Sequence, residues 1–449
     1  MTSSRLDMPR TMQQIKLEDR YVAAFERNVG RTLNGTNARI QALRHEAIGR
    51  FQTLGFPDRR NEAWKYTNIA HALQHEYEIV AVPPVPEVTA DEIDRFVIPD
   101  LEAHLIVLVN GRFSSEHSRI GPLPDGVIID SLEKAARSHA DIVDQYFGRY
   151  ASAEQDVFAA LNTAFTLDGL FVYVPKGKLL ETPLHVINIQ KVDDDLFLQP
   201  RHLLVFEEAS MVRILETGHS LTGAKTFTNS VAEVYVGTGA NVELYSIQDF
   251  GSAATSVVNL YAYQQRSSVF SMSTFTFTGE IVRNNLSVLP DAEHCESHLY
   301  GLFLPKGKTH VDNHTLVDHA KPDCVSNELY KGVLDDQASG VFNGKVYVRP
   351  DAQRINAFQE NKSILLSESA TMNSKPELEI YADDVKCSHG ATTGQLDGEA
   401  LFYLRSRGIS ENLARGMLLH AFAGDVIDTV KLEPVRRLLD ERVTERFGW

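Results

Sequence analysis

The sequence predicts a mainly β protein, a β-solenoid flanked by helical N-terminal and C-terminal regions. Three observations carry that reading. From Asp168 to about Thr393 the apolar period drops to two, and strand patterns follow one another without helical interruption. On either side, over residues 1–167 and 395–449, apolar residues return at helical spacing. The stretch between the last strand and the helices, Ile380–Gly408, begins as strand and ends as helix. The β stretch, residues 168–394, is about twice the length of an ordinary sandwich domain. Coils stacked on one another would bury a continuous core over that length. No strict repeat is present, so pattern alone leaves a large sandwich or barrel open.

The composition is that of a globular protein. Of 449 residues 43% are apolar and 23% charged, with a net charge of −16. An acidic surface argues against nucleic acid or an anionic membrane as partner. Three cysteines, Cys295, Cys324 and Cys387, are too few and too scattered for a disulfide framework. They suit a reducing compartment, and the expected setting is cytoplasmic. The first fourteen residues show no apolar h-region, and no apolar run approaches a membrane span.

Taken in order, Ala38–Leu54 has Ile40, Leu43, Ala47, Ile48 and Phe51 near helical period, and Gly55-Phe56-Pro57 ends it. Asn61 caps a short helix bearing Trp64 and Tyr66. One strand, His104–Phe113, carries the turn signal Asn110-Gly111 near its end. Helical patterns resume over Ser131–Phe165. The β stretch then reads as strands of about five residues separated by tight corners. These corners include Pro175-Lys176-Gly177, Gly237–Asn241 and Pro350-Asp351-Ala352. After it, Asp397 and Ser410 are expected N-caps, Gly408 ends the first helix, and Pro434 opens the last.

Two motifs invite a bold reading. Gly301–Thr309 imitates a phosphate-binding loop, but it has five residues between its glycines and a proline inside. A proline turn, repeated at residues 175–178, explains it better. Residues 293–324 gather His294, Cys295, His298, His310, Asp312, His314, Asp318, His319 and Cys324. A zinc or iron site would use such residues, yet no metal-binding spacing is present. A hydrogen-bonded interior or interface accounts for them more simply. If 310–319 is a strand, His310, Asp312 and His314 share a face and His319 points the other way.

The sharper candidate is the pair Cys387 and His389. On alternate residues of a strand they share a face with Val385, roughly 6–7 Å apart. Both can bind iron or zinc. The bland alternative is a buried small hydrophobe beside a hydrogen-bonded imidazole.

Asp383–Ile409, D-D-V-K-C-S-H-G-A-T-T-G-Q-L-D-G-E-A-L-F-Y-L-R-S-R-G-I, resembles the signature of the SufB/SufD family of iron–sulfur cluster assembly proteins. The stretches at 55–67, 310–319, 329–334 and 341–346 resemble its SufD branch, as does Gly390 after His389, where the SufB branch usually has an acid. The resemblance implies a right-handed parallel β-helix. It also implies pairing with a SufB-like paralogue through the β-helices. A SufC-like ATPase would dock on the C-terminal helices, with Leu413, Met417, Leu418, Phe422 and Asp425 as candidate contacts. His389, with Cys387 beside it, corresponds to a histidine implicated where the nascent, transient cluster forms, shared with SufB. The chain would then be a scaffold without turnover of its own. The family's association with flavin finds no stretch here to carry it. Alternatives are a SufB-type paralogue, a homodimer when isolated, or a stand-alone β-helix glycan hydrolase or lyase.

Overall fold

The computed structural model describes residues 16–32, 37–80 and 82–447, so the N-terminal stretch read above for a secretory signal lies outside the described residues. From residue 201 onward successive strands alternate between two sheets. One has eleven strands and ends at Thr371–Ile380; the other has ten and ends at Val385–Gly394. Their successive pairs are parallel, and partner positions lie 26 residues apart at Thr255↔Ile281 and 32 apart at Ser339↔Thr371. The fold is a parallel β-solenoid flanked by helices. Its coils share an architecture without sharing a sequence, because each coil only has to match its neighbours' in-and-out pattern.

Most solenoid strands run eight to eleven residues, against the five that alternation suggested. The reason is that polar residues do not interrupt these strands. They pair across coils instead, as where Asn285 Nδ2 donates to Asn259 Oδ1 at 2.7 Å in register. The corners are the anticipated ones: Gly177, Gly239 and Gly307 all turn with positive φ.

His104–Val109 pairs in parallel with Leu184–Gln190, and Asn110-Gly111 turns it back onto Arg112–Phe113. Ile128–Ser131 adds an antiparallel strand beside Leu170–Val174. The N-terminal segment therefore supplies the first strands of both sheets as well as helices. The helices Leu17–Thr32, Ala38–Leu54 and Val157–Phe165 pack Phe25, Phe51, Phe158 and Phe165 against Phe197, Phe227 and Val257, on the outer face of the eleven-stranded sheet. Each buried aromatic ring contributes about 2–3 kcal/mol.

A buried ion pair fixes this end. Arg201 and Glu233 are fully buried and 2.5 Å apart. Glu233 also accepts the backbone N–H groups of Gly148, Tyr150 and Ala151. Beside it Gly169 is obligatory, since a Cβ there would lie 1.9 Å from the Arg201 carbonyl oxygen.

The C-terminal helices cover the outer face of the other sheet. Asp397 caps Gly398–Ser406, Ser410 caps Glu411–Ile427, and Gly408 turns between them at φ +86°. Glu411–Ile427 and Glu433–Phe447 bury Leu419, Val426, Leu439 and Val443 against Phe275, Leu302 and Val333. No helix among the described residues is long and apolar enough to cross a membrane.

Candidate functional site

The last coil differs from all others. Among the described residues Thr371–Ile380 pairs only with Ser339–Val348, and Val385–Gly394 only with Ile355–Leu365. Each thus leaves one side of its backbone unpaired, and neither contains a buried residue. Pro376 is tolerated in the middle of a ten-residue strand because that strand is an edge.

Cys387 and His389 both stand in this final strand. Their register partners are Ala357 and Gln359, which are buried. The pair therefore occupies inward-facing columns at an end that no further coil covers. Cys387 is half-buried against Val346, Ile355 and Ala357, and burial raises its thiol pKa. His389 is exposed. Around them the end exposes Phe358, Ile380 and Tyr381. Among the described residues no three ligand-type side chains converge as a metal site would require.

The interior behind this end is polar. Glu328 is fully enclosed, accepting Thr315 Oγ1–H at 2.5 Å and Gln359 Nε2–H at 3.2 Å. Burial pushes its carboxyl up to about 7. His319 bonds Ser326 at 3.0 Å, and burial lowers its pKa to about 4, so it stays neutral.

On the helices, Leu413 and Met417 are exposed and Leu418 is half-buried. Phe422 and Asp425 also contact the solenoid, although the Asp425 side chain stays 62% exposed. Lys331 Nζ lies 2.5 Å from Asp425 Oδ2, 2.9 Å from the Phe422 carbonyl oxygen and 4.5 Å from the Phe422 ring. Lys331 thus ties the helix to the solenoid, while Leu413 and Met417 are exposed, as are Phe402 and Tyr403 of the preceding helix. Phe402 is 73% exposed, the most exposed large apolar side chain among those described.

Residues 188–422 match the family model described as "SUF system FeS cluster assembly, SufBD core domain", and residues 15–186 match "SufBD protein N-terminal region". The chain belongs to the SufBD family. It is 31% identical over 403 residues to an iron–sulfur cluster assembly SufBD family protein of Synechocystis sp., covering 88% of each chain. It is 27% identical to the iron–sulfur cluster assembly protein SufD of Escherichia coli over 92% of this chain and 94% of that one. The SufD of Bacillus subtilis is likewise 27% identical, over 89% and 92%.

Two stretches that resemble the SufD branch, about 245 residues apart in this SufBD chain, meet in space. The Trp64 ring lies 3.8 Å from the Arg283 guanidinium, and Arg283 Nη1 pairs with Asp312 Oδ2 at 2.8 Å. Thr67 donates to Asp312 and contacts His310, and His314 Nε2 sits 2.9 Å from Asp312 Oδ1. Burial alone would raise the Asp312 pKa, but Arg283 and His314 outweigh it and hold it well below the carboxylate range. The ligand-rich stretch is thus engaged in packing. His310, Asp312 and His314 share the outer face, and His319 faces inward. Cys295 and Cys324 are fully buried, both donating to the Ala292 carbonyl at 3.2 Å. A cleft of about 790 Å³ adjoins this cluster, but its lysines are paired, Lys345 with Glu379 and Lys375 with Glu62 and Glu377.

Sequence reasoning missed Phe358, Tyr381, Phe402 and Tyr403. The signal available was that Phe402-Tyr403 stands between an N-cap and a C-terminal glycine on a helix too short to bury two opposite faces.

Proposed function

We propose that this chain is the SufD-like scaffold subunit of a SUF iron–sulfur cluster assembly complex, and that the nascent cluster is its transient cargo. The observation that carries the reading is the last coil: two unpaired edge strands, a rim of exposed aromatics, and Cys387 and His389 at the opening. An unpaired edge pairs readily with a strand of another chain. A SufB-like paralogue, built on the same coils, is the fitting partner. Cluster iron prefers thiolate, with histidine as a minority ligand. Cys387 and His389 are two donors at most, so the partner must supply the rest. The raised Cys387 thiol pKa disfavours thiolate in the free chain, which makes His389 the better first ligand.

The SufC-like ATPase docks on the exposed face formed by Phe402, Tyr403, Leu413 and Met417. Helix Glu411–Ile427 is pinned to the solenoid by Lys331, so a movement of that helix would be transmitted to the coils near His389. Scaffolding without turnover, in a reducing cytoplasm where three cysteines stay free, suits this role.

The test is co-expression with SufB-like and SufC-like subunits. The complex is expected to carry iron and sulfide. His389→Ala should leave assembly intact and lower cluster content at least several-fold. Full cluster content in that variant would overturn the assignment of His389.

A further inference from the structure

The inward columns at the open end hold a group that the proposed role of His389 leaves unused. Glu328, Gln359 and His389 are in-register partners on three successive coils. Neighbouring strands lie about 4.8 Å apart, so side chains along such a column touch. Gln359 is 2% exposed. Its Nε2 donates to Glu328 Oε1 at 3.2 Å, and Glu328 is held in turn by Thr315. The other atom of the same amide, Oε1, is buried and has no partner among the described residues. A buried amide oxygen without a hydrogen bond is destabilising. The space for the amide comes from the opposite sheet, where a Cβ on Gly344 would lie 2.4 Å from Gln359 Nε2.

Asn361 Oδ1 and Ser363 Oγ, next along the same strand, are also buried without partners. Their register partners are Ala391 and Thr393. Of these inward columns only that of Gln359 ends in an imidazole. A histidine that binds metal through one ring nitrogen commonly donates from the other to an oxygen, which fixes its tautomer and aim.

We propose that Gln359 is a positioning residue for His389: its amide is anchored on Glu328, and its Oε1 accepts the N–H of one imidazole nitrogen, leaving the other nitrogen for iron. This rests on the reading of His389 as a ligand. The exposed imidazole adopts this position when a partner covers the open end and water leaves it. The Gln359 oxygen then gains the partner it lacks in the isolated chain.

The experiment uses the assembled, iron-free complex with ¹⁵N-labelled histidine. In the wild type His389 should show one tautomer with a slowly exchanging ring N–H. In Gln359→Leu it should show the mixture of a free imidazole, with iron affinity reduced roughly 10–100-fold. Gly344→Ala displaces the amide without removing it and should give the same mixture, so it decides the matter if Gln359→Leu does not assemble. An unchanged single tautomer in a folded variant overturns the proposal. If the tautomer shifts as expected but His389→Ala keeps full cluster content, the positioning stands and the ligand reading fails.

Discussion

The two ends of the solenoid solve one problem in opposite ways. A stack of parallel coils has an unpaired edge and an exposed interior at each end. At the N-terminal end the interior is filled and each sheet ends in a short antiparallel strand instead of a long parallel one. Antiparallel strands Arg112–Phe113 and Ile128–Ser131 finish the sheets, and the interior there is filled by Ile106, Leu108, Val172 and Val186. The Arg201–Glu233 pair then ties the segment at Gly148–Ala151 to the coils. At the C-terminal end neither closure is made. Both edges stay bare, and the interior turns polar at Glu328, Gln359, Asn361 and Ser363. The difference teaches that stability is concentrated at one end and the capacity to bind at the other.

The largest expected effect breaks the closed end. Glu233→Ala leaves a buried guanidinium and three backbone N–H groups without their acceptor. Chemical denaturation should show a loss of about 3–5 kcal/mol. His389→Ala at the open end should cost under about 0.5 kcal/mol by the same measurement. Equal losses would erase the contrast.

The next effect concerns the polar interior. Glu328 has its pKa raised by burial from 4.5 to about 7. Between these values the native state binds more protons than the unfolded chain. Its contribution is therefore fully present below pH 4.5 and is lost as pH rises to about 7, by about 3 kcal/mol. Glu328→Gln should remove this slope, so that the variant gains on the wild type from pH 4.5 to 8. A pH-independent difference between the two would mean that Glu328 ionises normally.

A smaller effect probes the rim. Tyr381→Asp with Phe358→Asp should leave unfolding unchanged, since both side chains are exposed. It should weaken pairing with a SufB-like subunit at least tenfold, or about 1.4 kcal/mol. Unchanged affinity by calorimetry would move the interface elsewhere.

These contrasts also mark how far the sequence could be read. The junction was legible because caps and turns are local: Asp397, Gly408 and Ser410 act within a few residues. Family likeness added the coil architecture, which no strict repeat reveals. Strand lengths were not legible, because polar strand residues such as Asn259 find their partners about 26 residues away. Nor was the meeting of Trp64 with Arg283 and Asp312, which depends on folding the N-terminal segment back along the solenoid. Phe422 and Asp425 carry the same lesson. The side chain that engages them, Lys331, comes from a strand some ninety residues earlier, a contact that a helical wheel does not show.

The most direct test of the open end is hydrogen–deuterium exchange across Val385–Gly394. In the isolated chain the outward-facing amides of this edge strand should exchange rapidly, while those of Leu184–Gln190 at the closed end stay protected. Addition of the SufB-like subunit should slow exchange in Val385–Gly394 and Thr371–Ile380 and leave Leu184–Gln190 as it was. Unchanged exchange in both terminal strands, in a complex shown to have formed, would contradict the account.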